Sequence, residues 1–171
     1  MLSAGNNNQQ TEDYPGEADT MIVAGASDLN DRRWVSEITA EGLDMPIKQG
    51  SDFGNRLTVL APAANIRVCA PHAERFYSCD DGPVGETSEE FAGVYDVLPH
   101  GATSSAAPIV SSLVALVFSV RPDLDARSVV QIIKLGCDDI GDSGYDMYTG
   151  HGRVNFIKTL KLAENWKKGK E

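Results

Sequence analysis

"HGATSSAAPIV", residues 100–110, decides how this 171-residue chain folds. Four small residues, Ala102 to Ser105, run into Ala-Ala-Pro and then into an almost wholly apolar segment that reaches Val120. A helix that is apolar nearly all round has to be buried. Hydroxyls placed where such a helix begins leave two readings open. They cap the helix, or one of them is a nucleophile held at the N-terminus, where unpaired N–H groups and the helix dipole stabilise a forming negative oxygen. Pro108 lacks the N–H that would bond the carbonyl of Ser104, which loosens the first turn. Small side chains at 105–107 let another backbone or a ligand come close.

Working outward, Met1–Gly5 reads as the end of a strand, followed by a polar loop, 6–16, with a Tyr-Pro-Gly turn. "TMIVAGA" (20–26) and "LTVLA" (57–61) are short apolar runs of the buried-strand kind, the second ended by Pro62. Residues 28–55 are mixed and read as loop-rich, and Cys69–Pro99 reads as one long, acidic, aperiodic loop. Two helices follow the central one. Asp125 caps the first, Val129, Ile132, Ile133 and Leu135 form its stripe, and Gly136 stops it. Asn155 caps the second, with Ile157, Leu160 and Trp166 on one face and lysines at its C-terminal end. Strands followed by a buried helix predict α/β layering without internal repeats.

The totals allow one domain or part of one, with a sizeable core: 42% of residues are apolar and 23% charged. A net charge of −10 offers no basic field, which argues against a nucleic-acid or anionic-membrane partner. Lys167, Lys168 and Lys170 read as a solvated tail. Met1-Leu2-Ser3 has no charged leader region, so no signal peptide is expected, and Ala106–Val120 reads as too short and too serine-containing (Ser111, Ser112, Ser119) for a membrane span. Cys69 and Cys79 either close a small loop in an oxidising compartment or remain free thiols. Cys137 reads as a buried small hydrophobe. Cys69, His72 and Cys79 lack a fourth ligand for a metal site, and no metal is expected.

Four stretches then carry a resemblance. "TSSAAP" (103–108) resembles the Thr-Ser-x-Ala-x-Pro signature around the nucleophile of the subtilisin-like serine proteases, the subtilases. "SAGN" (3–6) resembles the strand end that delivers their oxyanion-hole Asn. "TMIVAGASD" (20–28) with "SDFGNRLTVLAPA" (51–63) resembles the family's strand, turn and Ala-Pro-Gly strand. "YTGHGRVN" (148–155) resembles the start of its last helix. The matches are collinear and span the chain.

The resemblance implies a subtilisin-like three-layer α/β fold, a parallel sheet flanked by helices with one buried central helix, of which residues 1–171 would be the C-terminal part of the catalytic domain. It implies a serine-type endopeptidase acting on polypeptides. Ser104 would attack a peptide carbonyl and form an acyl-enzyme. Asn6 would donate its side-chain amide to the oxyanion together with the Ser104 N–H. Ala4, Gly5, Ala102 and Thr103 would line the substrate cleft. No cofactor is implied beyond the calcium that often stabilises the family, and Asp80-Asp81 and Glu86–Glu90 lack the spacing of a calcium site. The family is mostly exported, which fits a Cys69–Cys79 bridge.

Three departures stand against this pattern. Ala102 occupies the place of the Gly two residues before the nucleophile, and is strained if that position needs positive φ. Ala63 replaces the Gly of Ala-Pro-Gly. The family's Asp-x-Gly and His-Gly-Thr-His contexts are missing, so the partners expected are a polypeptide substrate and the N-terminal part of the same domain that supplies Asp and His. His100 is the only local candidate base; His151 reads as structural, and no suitable helix follows His72. Losing the family's His lowers turnover by on the order of 10⁶, a figure measured on a subtilisin, so the chain alone is expected to be nearly inert. The alternative is a degenerate, non-catalytic remnant that binds peptides or serves as an interaction module.

Overall fold

The computed structural model describes residues 1–11, 20–38, 47–64, 66–71, 95–100 and 102–167. The strands are β1 (Leu2–Ser3), β2 (Val23–Ser27), β3 (Val35–Ile38), β4 (Ile47–Gly50), β5 (Val59–Pro62), β6 (Ile66–Pro71) and β7 (Tyr95–His100), and the helices are α1 (Thr103–Val120), α2 (Ala126–Gly136) and α3 (Phe156–Glu164). The centre is a parallel sheet in the order β1-β2-β5, with Leu2 opposite Val23, and Ala24 and Ala26 opposite Val59 and Ala61. Residues alternate between its two faces, as a period of two requires. Ala24, Ala26, Val59 and Ala61 face the larger core with α1, whereas Val23 and Leu60 join Ala4, Leu57 and Ile140 on the other side.

Alanines on the first face let α1 lie close to the sheet. The helix buries Ala106, Val110, Leu113 and Val117 completely, at the i, i+4, i+7, i+11 spacing of one stripe. Burying each large aliphatic side chain contributes roughly 1.5–3 kcal/mol, against less than about 0.7 kcal/mol lost to the poor helix propensity of each valine, so packing wins. With residues 103–105 the helix reaches 18 residues of mean hydropathy 1.7, enough by length and composition to cross a membrane. The sequence reading put it below that length; its stripe packs on the sheet as a core helix does.

Helices α2 and α3 pack behind α1 as one layer. Asp125 Oδ1 accepts from Ser128 N (2.7 Å) and Asn155 Oδ1 from Lys158 N (3.0 Å), so both expected caps form. Gly136 acts differently from the expected stop signal. It is the last residue of α2, and an added Cβ would collide with Thr159, lying 2.8 Å from its Cα; glycine is there so that α3 can approach. Ile157 is also exposed, and the face α3 buries instead carries Thr159 and Ala163, with Phe156 and Leu160 partly covered.

Two hairpin-like pairs replace expected loops. β3 and β4 pair antiparallel, Val35 opposite Gly50 and Ile38 opposite Ile47. β6 and β7 pair antiparallel from Ile66 opposite His100 to Pro71 opposite Tyr95. Each strand is four to six residues long, too short for alternation to stand out from its surroundings. Residues 72–94, with His72, Cys79, Asp80, Asp81 and Glu86–Glu90, lie outside the described residues, as do the side chain of Cys69 and any Cys69–Cys79 bridge.

Candidate active site

The first turn of α1 meets the segment that follows β1. Thr103 N–H donates to Asn6 Oδ1 (3.0 Å), and Thr103 Oγ1 donates to the same oxygen (2.8 Å) while accepting from Gly5 N–H (3.1 Å). A backbone N–H can only donate, so the atom facing it has to be the carbonyl oxygen of Asn6. The Asn6 amide nitrogen is therefore turned away from Thr103, with no partner among the described residues. Ser105 and Ala106 N–H groups donate to Ala102 O at 3.0 and 3.4 Å. The Ser104 N–H has no partner among the described residues, and Ser104 is exposed. One exposed hydroxyl and two N–H donors without a partner among the described residues thus lie around a single helix start.

The remaining residues singled out in the sequence are also brought here. Ala4, Ala102 and Thr103 are buried, and Gly5 is half-buried. The Thr103 hydroxyl braces the helix start against Gly5 and Asn6. Gly5 sits at φ 104, and a Cβ there would strike the carboxylate of Asp52. Ala102 N–H donates to Ala63 O (3.1 Å), which ties the helix start to the end of β5. Ala63 is not among the described residues with positive φ, so alanine costs nothing there.

Asp52 was missed in the sequence. It is 3% exposed; its Oδ1 accepts from Asn7 N (2.8 Å) and Gln9 N (3.1 Å), and its own N–H donates to Gly5 O (2.8 Å). Asn8 and Gly50 complete the brace through Asn8 N→Gly50 O and Gly50 N→Asn6 O. Arg33 spans the outside of this turn, donating to Ser51 O and to Asn8 Oδ1, with its guanidinium 4.8 Å from the Phe53 ring centroid. Burial holds its pKa below the ordinary arginine value. The only signal for Asp52 was its place in the "SDFG" turn.

No described side chain supplies a base. His151 N–H donates to Thr58 O (2.8 Å), just before β5, whereas the helix start is tied to Ala63 O, just after it. The His151 ring lies 5.1 Å from Tyr145, and burial lowers its pKa, favouring the neutral form. His100 ends β7, and its side chain lies outside the described residues. Among the described residues no three His, Cys, Asp or Glu side chains converge to hold a metal ion.

The sequence profile of the subtilase family matches residues 1–152. A probable subtilase-type serine protease of Deinococcus radiodurans is 25% identical over 93% of this chain and 22% of its own length. A calcium-dependent protease of Nostoc is 28% identical over 95% of this chain and 24% of its own length. The chain thus spans under a quarter of these curated relatives. Among solved structures, fervidolysin from Fervidobacterium pennivorans, a keratinolytic enzyme related to subtilisin, superposes with a TM-score of 0.59 at 24% identity, over 93% of this chain and 22% of that one. A profile covering most of the chain, a subtilisin-like α/β fold and collinear motifs around one helix start lead to one assignment: the chain belongs to the subtilase family.

Proposed function

We propose that the chain carries the nucleophile and oxyanion hole of a serine endopeptidase domain. Ser104 Oγ attacks the carbonyl carbon of a peptide bond, its proton passes to a base, and an ester forms as the amine leaves with a proton. The carbonyl oxygen, negative in the tetrahedral intermediate, is met by Asn6 Nδ2 and the Ser104 N–H. The carrying observation is the pair of hydrogen bonds from Thr103 to Asn6 Oδ1, which fixes the carboxamide beside the residue preceding Ser104 and leaves its donor end without a partner among the described residues. The base and its orienting carboxylate come from a partner segment, the N-terminal part of the same domain; the substrate is polypeptide. No step of this reading runs through a metal ion.

A fluorophosphonate probe tests this in the protein joined to a subtilase segment bearing Asp and His. Labelling is expected at Ser104 and abolished by Ser104→Ala. Asn6→Ala should lower kcat by about 10²–10³, a magnitude measured on a subtilisin. A folded assembly that never labels overturns the assignment. It would leave the second reading, a peptide-binding remnant, which is favoured by the methyl of Ala102 at a glycine-type backbone position. That reading requires peptide binding without labelling.

A further inference from the structure

Three described residues other than glycine have positive φ: Asn8 at 54°, Asp31 at 60° and Ala102 at 123°. The first two occupy the left-handed helical region that Asn and Asp tolerate. Ala102, at φ 123° and ψ 172°, lies in a region that is essentially glycine-only. It is 0% exposed and immediately precedes Thr103. Strained residues persist only where their surroundings over-determine them. Here the restraints are Ala102 N–H to Ala63 O, Ser105 and Ala106 N–H to Ala102 O, and Thr103 N–H to Asn6 Oδ1.

We propose that Ala102 is a positioning residue that sets a two-position equilibrium at the start of α1. In the assembled position Ala102 holds its positive φ, Thr103 bridges Gly5 and Asn6, and the Asn6 amide is aimed beside Ser104. In the relaxed position Ala102 returns to negative φ, Thr103 releases both partners, and the carboxamide turns freely. Strain in the backbone favours release; the hydrogen bonds favour assembly. A peptide that binds only the assembled position draws the population toward it. Ala102 is in this sense a brake on the oxyanion donors that a glycine would lift. That consequence rests on the catalytic reading of Asn6 and Ser104; the equilibrium itself does not.

The test is residue-resolved amide exchange on the 171-residue chain at low micromolar concentration, read by mass spectrometry. Gly5 and Thr103 amides report the bridge; Ile132 and Ile133 in α2 report global opening. In the wild type Gly5 and Thr103 should be less protected than Ile132 and Ile133 and open without dependence on dilute urea, because they exchange through the relaxed position. Ala102→Gly should raise protection at Gly5 and Thr103 by about 5- to 150-fold, the range that relieving one such outlier spans, and Ala102→Val should lower it; if the valine variant does not fold, the glycine variant decides alone. Wild-type Gly5 and Thr103 amides that open only together with Ile132 and Ile133, or protection at Gly5 and Thr103 that Ala102→Gly leaves unchanged, would overturn the proposal. In the assembled protease, faster fluorophosphonate labelling of Ala102→Gly without the exchange change also overturns it while sparing the catalytic reading. The exchange change in an assembly that never labels supports the equilibrium and removes the catalytic reading.

Discussion

At Thr103 a single hydroxyl joins two pieces of chain 97 and 98 residues apart. Thr103→Val keeps the shape and removes only that oxygen. The Gly5 N–H then loses its acceptor, whereas Asn6 Oδ1 keeps the Thr103 N–H. Leaving one part-buried donor unpaired costs about 1–3 kcal/mol. The variant should unfold at a lower urea midpoint with an unchanged m-value, and an unmoved midpoint would refute the bridge. The residues of this site were legible in the sequence as types and order: Ser104 after a small residue, Asn6 at a strand end, Ala102 where positive φ would cause strain. The bridge was not. Nothing local to Thr103 distinguishes a hydroxyl that lines a cleft from one that braces it, because the partner lies at the other end of the sequence. Asp52 was hidden for the same reason, since its two amide partners lie more than 40 residues away.

Among the elements, the long apolar runs and the capped helices were readable and the short strands were not. A cap is a local rule: Asp125 and Asn155 precede helical stripes and bond within three residues. β3 and β4 are set instead by pairing and by Gly50, whose missing side chain lets Trp34 O and Asn8 approach. The Asn155 cap has a second contact that no local rule predicts. Asp138 Oδ2 accepts from Asn155 Nδ2 and from the Arg153 guanidinium, each at 2.9 Å, tying the end of α2 to the start of α3. The hydrogen bond from Asn155, and then that from Arg153, holds the Asp138 carboxyl below its ordinary pKa. A carboxyl depressed on folding stabilises the native state above its unfolded pKa of about 4, and that contribution disappears as pH falls through the folded value. The denaturation midpoints of wild type and Asp138→Asn should differ most above pH 5 and converge as pH drops below about 4. An undiminished gap at pH 3 would show that the carboxylate charge is not the cause. Beside this junction, burial pushes the Cys137 thiol up to about 12, so it is held as an unreactive core group.

Among the described residues, the exposed flanks of α1 carry an apolar mismatch. Leu116, Phe118 and Val120 are exposed, and a groove of about 170 Å³ beside them is lined by Met1, Ile22, Val114, Phe118, Val129 and Val130. The outer edge of β1 pairs with no described strand, whereas the far edge of β5 is covered through Leu60 N→Gly152 O and Val154 N→Leu60 O. An apolar face and an open sheet edge both favour association. The net charge of −10 opposes it, but at physiological salt charges are screened beyond about 8 Å, while apolar contact is not. Association should therefore win as salt rises. In sedimentation velocity the wild-type chain should form species larger than a monomer at tens of micromolar, increasingly so between low and physiological salt. Leu116→Glu combined with Phe118→Glu should shift it toward the monomer. Both positions lie outside the buried stripe of Ala106, Val110, Leu113 and Val117, which the substitutions leave in place. A wild-type chain that stays monomeric and unfolds in one cooperative transition at every salt concentration would show that this face is satisfied as it stands.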